Sequence, residues 1–369
     1  MPEPSVVLEQ CEIISPLGNL SETVADCMDG VSAIRPGPCF DVPAAFAPFK
    51  DERHRSLTCA AETLKAGVDL SELDPSRTAF VFCCAKGDMR PLEQYYANEL
   101  GDRFVPPLPG PQADYAKKII LPQAARTIVI SSACASGSMA VEVSRDLLLS
   151  GAFTHAVVFG FDGISRFVAS GFWALGALSK SGARPFDVSR DGLTLGEGAC
   201  IAVLACRSPF EGDIFIKGAG SSNDANHRTG PSRSGDGLLR AGKAALDDAC
   251  LSSKEIGAVK CHGTATPYND AMEAHALAGM FESGIPPCCS IKGALGHTSG
   301  AGSLLEILVA SQFLERHVLP PTAGFQSLGV EEEIHVADHQ QIFRQNALLC
   351  LAAGFGGINS AIVLEERQS

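Results

Sequence analysis

The chain has 369 residues and a mass of 38.6 kDa. A fold of that mass buries roughly three quarters of its extended-chain surface, and a hydrophobic content of 46% supplies the core. Twenty-nine Lys and Arg against 42 Asp and Glu leave a net charge of −13, which excludes a chain built to coat nucleic acid or an anionic membrane. Charged residues make up only 19%, so disorder is excluded as well.

The first dozen residues, MPEPSVVLEQCE, lack a basic segment followed by an apolar one, which predicts no secretory signal. Fourteen cysteines are scattered along the chain, with two adjacent pairs (Cys83–Cys84 and Cys288–Cys289) and no CxxC. They point to a reducing cytoplasm, with most thiols acting as small buried hydrophobes.

Short β-branched runs alternate with helical segments, which predicts an α/β fold. In chain order the expected strands are Ser5–Leu8, Thr78–Cys83, Thr127–Ser131, His155–Phe159, Cys200–Leu204, Ile214–Gly218, Ala258–Cys261, Leu348–Ala353 and Ala361–Glu365. Helices are expected at Ser136–Leu149, Leu238–Cys250, Asp270–Phe281 and Gly302–Glu315. The Pro-rich stretch Arg103–Gln112 reads as a loop. The polar break at Cys206–Asp213, with Pro209, divides the chain into residues 1–208 and 209–369. The uncharged run Gln345–Leu364 is too rich in glycine for a membrane span and reads as two strands around a turn.

Four segments could carry chemistry. In TIVISSACASGSM a strand ends at Ser131, small residues make a tight turn that holds Cys134, and a helix begins at Ser136. Unpaired N–H groups and the helix dipole there favour a thiolate; a buried cysteine packed at a strand–helix joint fits the same residues. In KCHGTATPYND, His262 closes a strand, and Thr264 and Thr266 offer hydroxyls to a polar ligand arm. SIKGALGHTSGAGSLLE places Lys292 and His297 in a glycine-rich loop that opens a helix, without a Walker A or GxGxxG pattern. In GFGGIN, Gly354–Asn359, glycines suit either a close backbone approach to a ligand or a tight hairpin turn. His335 and His339 stand at i,i+4 spacing near three glutamates, and a solvated charged surface outweighs a metal site there. The run RPFDVSRDGLTLGEGA reads as a structural hairpin with internal salt bridges.

Taken in order, ACASG, RPFD…RDG…GEGA, HGTAT…ND..E, K….GH..GAG and GFGGIN strongly resemble the β-ketoacyl synthases of fatty-acid and polyketide assembly. The opening CEIISPLGN…MDGVSAI also resembles that family's first strand, loop and helix. The resemblance covers Ser5 to Ile34 and Thr127 to Leu364; between them the chain is shorter than the family norm and its motifs are hard to align. It implies a thiolase-like fold, two βαβαβαββ halves in a five-layered αβαβα sandwich, with the nucleophile in the first half and the histidines in the second.

Carried over residue by residue, the resemblance makes Cys134 the acyl-accepting nucleophile, and His262 and His297 the histidine pair of decarboxylating, chain-extending synthases. Lys292 and Glu306 fall at the family's supporting Lys and Glu. Thr264 and Thr266 match threonines on the pantetheine arm. Phe355 matches the gating phenylalanine, whose backbone N–H joins that of Cys134 in an oxyanion hole. Gly171 and Phe172 look like acyl-tunnel residues.

The implied activity is acyl transfer by decarboxylative Claisen condensation, with no metal and no cofactor beyond substrates carried on the phosphopantetheine of an acyl carrier protein. The implied assembly is a homodimer or a heterodimer with another ketosynthase-like subunit, and aryl polyene assembly is one pathway of this kind. A thiolase would want a second cysteine in the C-terminal glycine turn, where GFGGIN has none. A non-catalytic partner subunit would not need Cys134, His262 and His297 together. An acidic synthase that binds an acidic carrier needs a local basic patch, for which Lys50, Arg53, Arg55, Lys117, Lys118 and Arg126 are the candidates.

Overall fold

The computed structural model describes residues 4–37, 42–46, 57–97 and 106–368. Among them the strands Arg126–Ile130, Thr78–Cys83, His155–Asp162, Gly198–Arg207 and Ser5–Ile14 lie side by side in that order. Ile214–Asn223, Ile358–Glu366, Ala347–Gly354, Ile256–Lys260 and Pro287–Cys289 continue the same run. The two groups meet only over Val6↔Ile216 and Val7↔Phe215. Each is a sheet of mixed direction, and together they run into an αβαβα stack.

The layers follow from the two-residue alternation of side chains along each strand. Phe80, Phe82, Val157, Phe159, Ile201 and Val203 face outward into a cluster with the helices Leu57–Ala66 and Pro109–Ile120. Their neighbours Val81, Val158 and Ala202 face inward, joining Leu348, Cys350, Ile362 and Leu364 of the other sheet. Between the sheets lie the helices Ser136–Leu149 and Ser299–Arg316. The outer face of the second sheet is covered by Asp236–Ala249 and Pro267–Met280. The Ser299–Arg316 helix is buried through Ser311, as its nearly continuous small and apolar sequence requires.

All nine expected strands form, most of them longer at one or both ends, and the four expected helices form as well. The region before Thr127 holds more structure than its sequence suggested. Residues 109–112 are not loop but the first turn of Pro109–Ile120; proline is tolerated there because the first N–H groups of a helix have no partner inside it.

RPFDVSRDGLTLGEGA is not a hairpin. Its Leu195–Gly196 pairs in parallel with Ala44–Ala45, and Asp187 accepts the backbone N–H groups of Gln326 (2.7 Å) and Ser327 (2.9 Å). Arg190 reaches out of the run to Asp270 at 3.9 Å. His335 and His339 are exposed, and no cluster of three metal-ligating side chains occurs among the described residues. The described cysteines are free thiols. No helix among the described residues is long and apolar enough to cross a membrane.

Candidate active site

The site lies where the carboxyl ends of the strands Arg126–Ile130, Ile256–Lys260 and Ala347–Gly354 converge on the middle helices. After Ile130 the chain enters a 3₁₀ turn, Ala133–Ala135, with Ala133 at φ 50°, and continues directly into the Ser136–Leu149 helix. Cys134 is thus held in a strained turn at the head of a buried helix. The hairpin joining Ala347–Gly354 to Ile358–Glu366 approaches from the other sheet. A side-chain carbon on Gly354 would sit 3.2 Å from the backbone nitrogens of Cys134 and Ala135. Phe355 donates its backbone N–H to the Cys134 sulfur. Both readings of GFGGIN therefore hold: it is a tight hairpin, and it brings backbone against the thiol.

His262 follows Ile256–Lys260, and Glu273 fixes it by accepting the N–H groups of His262 (2.6 Å) and Gly263 (2.7 Å). His297 is tied by its N–H to Thr194 O (2.7 Å), while its carbonyl accepts from Gly196 (2.9 Å). The two rings lie edge to face, 5.6 Å between centroids. Lys292 donates to His262 O (2.6 Å), approaches His262 Nδ1 at 3.4 Å, and pairs with Glu306 Oε1 at 2.5 Å. An ammonium donates only, so Nδ1 accepts and the ring proton of His262 sits on Nε2. The other oxygen of Glu306 pairs with a second buried lysine, Lys260.

Cys134, His262, His297, Thr264, Thr266 and Phe355 line one cavity of about 840 Å³, together with Phe172 and Arg233. The rings of Phe172 and Phe355 meet at 5.5 Å. Thr264 and Thr266 share a 3.0 Å hydroxyl contact, and Thr266 caps the Pro267–Met280 helix. Gly171 is exposed and does not line the cavity, because its turn of the Arg166–Ala174 helix points into open space.

Charge in the site is set by burial. The Cys134 thiol is pushed up to about 11 by desolvation, against the pull of Lys292 and the Phe355 N–H. The expected thiolate at the helix head is therefore not the resting state; loss of water outweighs the dipole. Burial and then Lys292 hold His297 down at about 3, and burial with Lys292, His297 and Lys260 holds His262 well below its ordinary range. Both imidazoles are neutral. Burial raises Glu306, but Lys260 and Lys292 more than offset it and keep the carboxylate charged.

Three supporting residues escaped the sequence reading. Asp162 accepts N–H groups from Ala85, Gly300 and Ala301 at 2.8–3.1 Å, joining the first sheet to the head of the Ser299–Arg316 helix. Glu273 stands in ND..E, where no local pattern marks its partner. Lys260 heads KCHGTATPYND, and a lysine closing an otherwise apolar strand is the signal that finds it. As for the proposed basic patch, Lys50, Arg53 and Arg55 lie outside the described residues. Lys117, Lys118 and Arg126 sit at the end of the first sheet away from Cys134, since Arg126 opens the strand that leads to it.

A doubled αβαβα fold with a thiol at a helix head and two neutral histidines across a cavity defines a thiolase-like acyl-transfer protein. Family models for the β-ketoacyl synthase N-terminal and C-terminal domains match residues 40–208 and 214–326, so the chain belongs to the β-ketoacyl synthase family of acyltransferases. The first match takes in most of the stretch whose motifs are hard to align, from residue 40 onward. The chain is 29% identical over 344 residues to a tetracenomycin polyketide synthase ketoacyl synthase alpha subunit of Streptomyces glaucescens, covering 84% of this chain and 79% of that one. It is 32% identical over 257 residues to 3-oxoacyl-[acyl-carrier-protein] synthase 2 of Vibrio cholerae, covering 64% and 62%. Among solved structures it superposes on a ketosynthase bound to its chain length factor from Xenorhabdus doucetiae with a TM-score of 0.86 at 22% identity, covering 99% and 98% of the chains.

Proposed function

We propose that the chain is an elongating synthase that condenses an acyl group held on Cys134 with a malonyl group carried on an acyl carrier protein. One observation carries this: Cys134, His262 and His297 line a single cavity with the Lys292–Glu306 pair behind the histidines. In the first step the Cys134 sulfur attacks the carrier thioester. The new C–S bond forms, the bond to the pantetheine sulfur breaks, and that sulfur takes up the proton released by the thiol. The N–H groups of Cys134 and Phe355 are the donors for the intermediate's oxyanion in this reading, the Phe355 N–H turning to it from the sulfur it meets in the free protein.

In the second step the bond between the malonyl α-carbon and its carboxylate breaks, and CO₂ leaves. The electron pair moves into an enolate whose oxygen accepts from the neutral imidazoles of His262 and His297. The α-carbon then attacks the acyl carbonyl, the C–S bond to Cys134 breaks, and the sulfur leaves as a thiolate that takes up a proton from solvent. Thr264 and Thr266 face the path of the pantetheine arm, and the Phe172–Phe355 contact closes the acyl side. Arg233, stacked 5.6 Å from the Tyr268 ring at the cavity wall, offers positive charge to the phosphate of the arm. The edge strand Arg126–Ile130, with Val129 exposed, is where a second subunit of the same fold would extend the sheet. Related solved structures are named as ketosynthase and chain length factor together, which supports such a partner.

The test is intact-protein mass spectrometry with a panel of acyl-carrier thioesters, alongside CO₂ release from malonyl carrier protein. Wild type should gain the acyl mass and Cys134→Ala should not. His297→Gln should still acylate while its CO₂ release falls about a hundredfold or more, the cost of one lost oxyanion donor. An adduct on Cys134→Ala, or undiminished CO₂ release by His297→Gln, overturns the assignment.

A further inference from the structure

Two lysines share one carboxylate at the centre of this protein. Lys260 ends the strand two residues before His262, its side chain is 1% exposed, and its ammonium pairs with Glu306 and donates to Leu351 O at 3.2 Å. Lys292 takes the other oxygen of Glu306 and touches His262. One lysine would suffice to neutralise Glu306. Burying a second cation is costly, and an apolar side chain of the same volume would hold the strand at less expense.

We propose that Lys260 is a positioning residue for the decarboxylation step: by taking one oxygen of Glu306 it leaves the Lys260–Glu306–Lys292 cluster with a net positive charge behind the histidines, which keeps His262 and His297 as neutral donors in acid. It rests on the assignment of those histidines to the enolate oxygen, and it extends that assignment to a residue touching neither substrate nor histidine. A surplus positive charge acts in two ways. It resists protonation of either imidazole, and it favours the negative charge that develops on the enolate oxygen.

The surroundings allow this on the acid side in particular. His262 is faced by Lys292, His297 and Lys260, and its backbone by Glu273. His297 is faced by Lys292, Glu306 and Lys260. Lys292 is faced by Glu306, Lys260 and Glu273, and Lys260 by Glu306, Glu273 and the Cys350 thiol. Cys289, another buried thiol beside Lys260, is neutral because burial raises it. Asp270 adjoins Glu273, and burial pushes the two carboxyls up to about 6 and about 7. Across the cavity Cys134 faces Lys292, Asp162 and Lys86. Below pH 6 the two raised carboxyls are mostly protonated, so the surplus charge stands uncompensated there.

The experiment measures CO₂ release from malonyl carrier protein by the full chain from pH 3.5 to 8, for wild type, Lys260→Met and Lys260→Gln. Met removes charge and hydrogen bonds at similar volume, whereas Gln keeps a donor and loses only the charge. The expected result is that the acid limb of both variants moves up by about one unit, within the reach of a single nearby charge. With His297 moved from about 3 to about 4, the ratio of rates at pH 3.5 and pH 7 falls about threefold relative to wild type, while acylation of Cys134 at pH 7 persists. Two variants are used so that a misfolded one, seen by circular dichroism, leaves the other to decide. A uniform loss of rate with the acid limb unmoved, or full rescue by Gln, overturns the proposal. Absence of CO₂ release by wild type itself overturns instead the assignment on which it rests.

Discussion

At Cys134 two influences oppose each other. The head of a helix and the Phe355 N–H favour a thiolate, and burial disfavours it; burial wins and places the thiol near 11. The nucleophile is therefore stored protonated. The sign of the pH dependence follows. The thiolate fraction should rise about tenfold per pH unit between pH 7 and 9, because both values lie below the folded pKa. Carboxamidomethylation of Cys134 by iodoacetamide, followed by peptide mass spectrometry, should climb without a plateau over that range. A plateau below pH 8 would mean a preformed thiolate. The residues that meet substrate were legible in sequence because each stands in a short, recognisable segment: Cys134 at its turn, His262 before Gly–Thr, His297 in the glycine loop. Lys260, Glu273 and Asp162 were not. Their partners come from other strands and helices, and no local pattern records a contact across 46 positions such as Lys260 to Glu306.

Among elements, the two middle helices decide how closely the nucleophile turn and the histidine loop can approach. The Ser136–Leu149 helix presents Gly137 to Leu304 of the Ser299–Arg316 helix, and Ser138 N–H donates to Ser303 at 2.9 Å. A side-chain carbon at Gly137 would lie 2.2 Å from the Leu304 nitrogen. That atom belongs to backbone and cannot rotate away. Gly137→Ala should thus force the helices apart and cost about 1–3 kcal/mol, as overpacking does, although alanine is the better helix former. Urea unfolding measures the loss, and the rate of Cys134 acylation should drop with it, because Cys134 lies three residues before the contact. Unchanged stability in Gly137→Ala would show that the crossing is looser than this geometry. Regular elements were readable because buried strands run apolar and the Ser136–Leu149 helix stops just before Gly151. Thr78–Cys83 and Ser136–Leu149 match expectation residue for residue. The Pro109–Ile120 helix was missed because prolines in its first turn look the same as prolines in a loop.

For the whole molecule, the layer order makes the middle helices common property of both sheets. The inward faces of Thr78–Cys83 and His155–Asp162 share one cluster with those of Ala347–Gly354 and Ile358–Glu366, through Leu304, Leu305, Leu308 and Val309. Leu305 belongs by sequence to the second half, yet it reaches the first: a side-chain carbon at Gly198 would stand 3.1 Å from its Cδ1. The Cys134 turn and the histidine loop are held in register by that shared layer, more than by the two-residue seam at Val6 and Val7. Truncating Leu305, which is fully buried, to alanine should cost about 2–5 kcal/mol. If the layer is shared, the loss is felt on both sides of it. Hydrogen exchange of the amides in Thr78–Cys83 and His155–Asp162 should accelerate as much as that in Ala347–Gly354, since cooperative units exchange together. Faster exchange confined to the second sheet would mean that the halves open separately. Cys134 and the two histidines would then be joined by the seam alone, and a substrate that pried the seam open would separate the nucleophile from the groups that stabilise its partner's enolate.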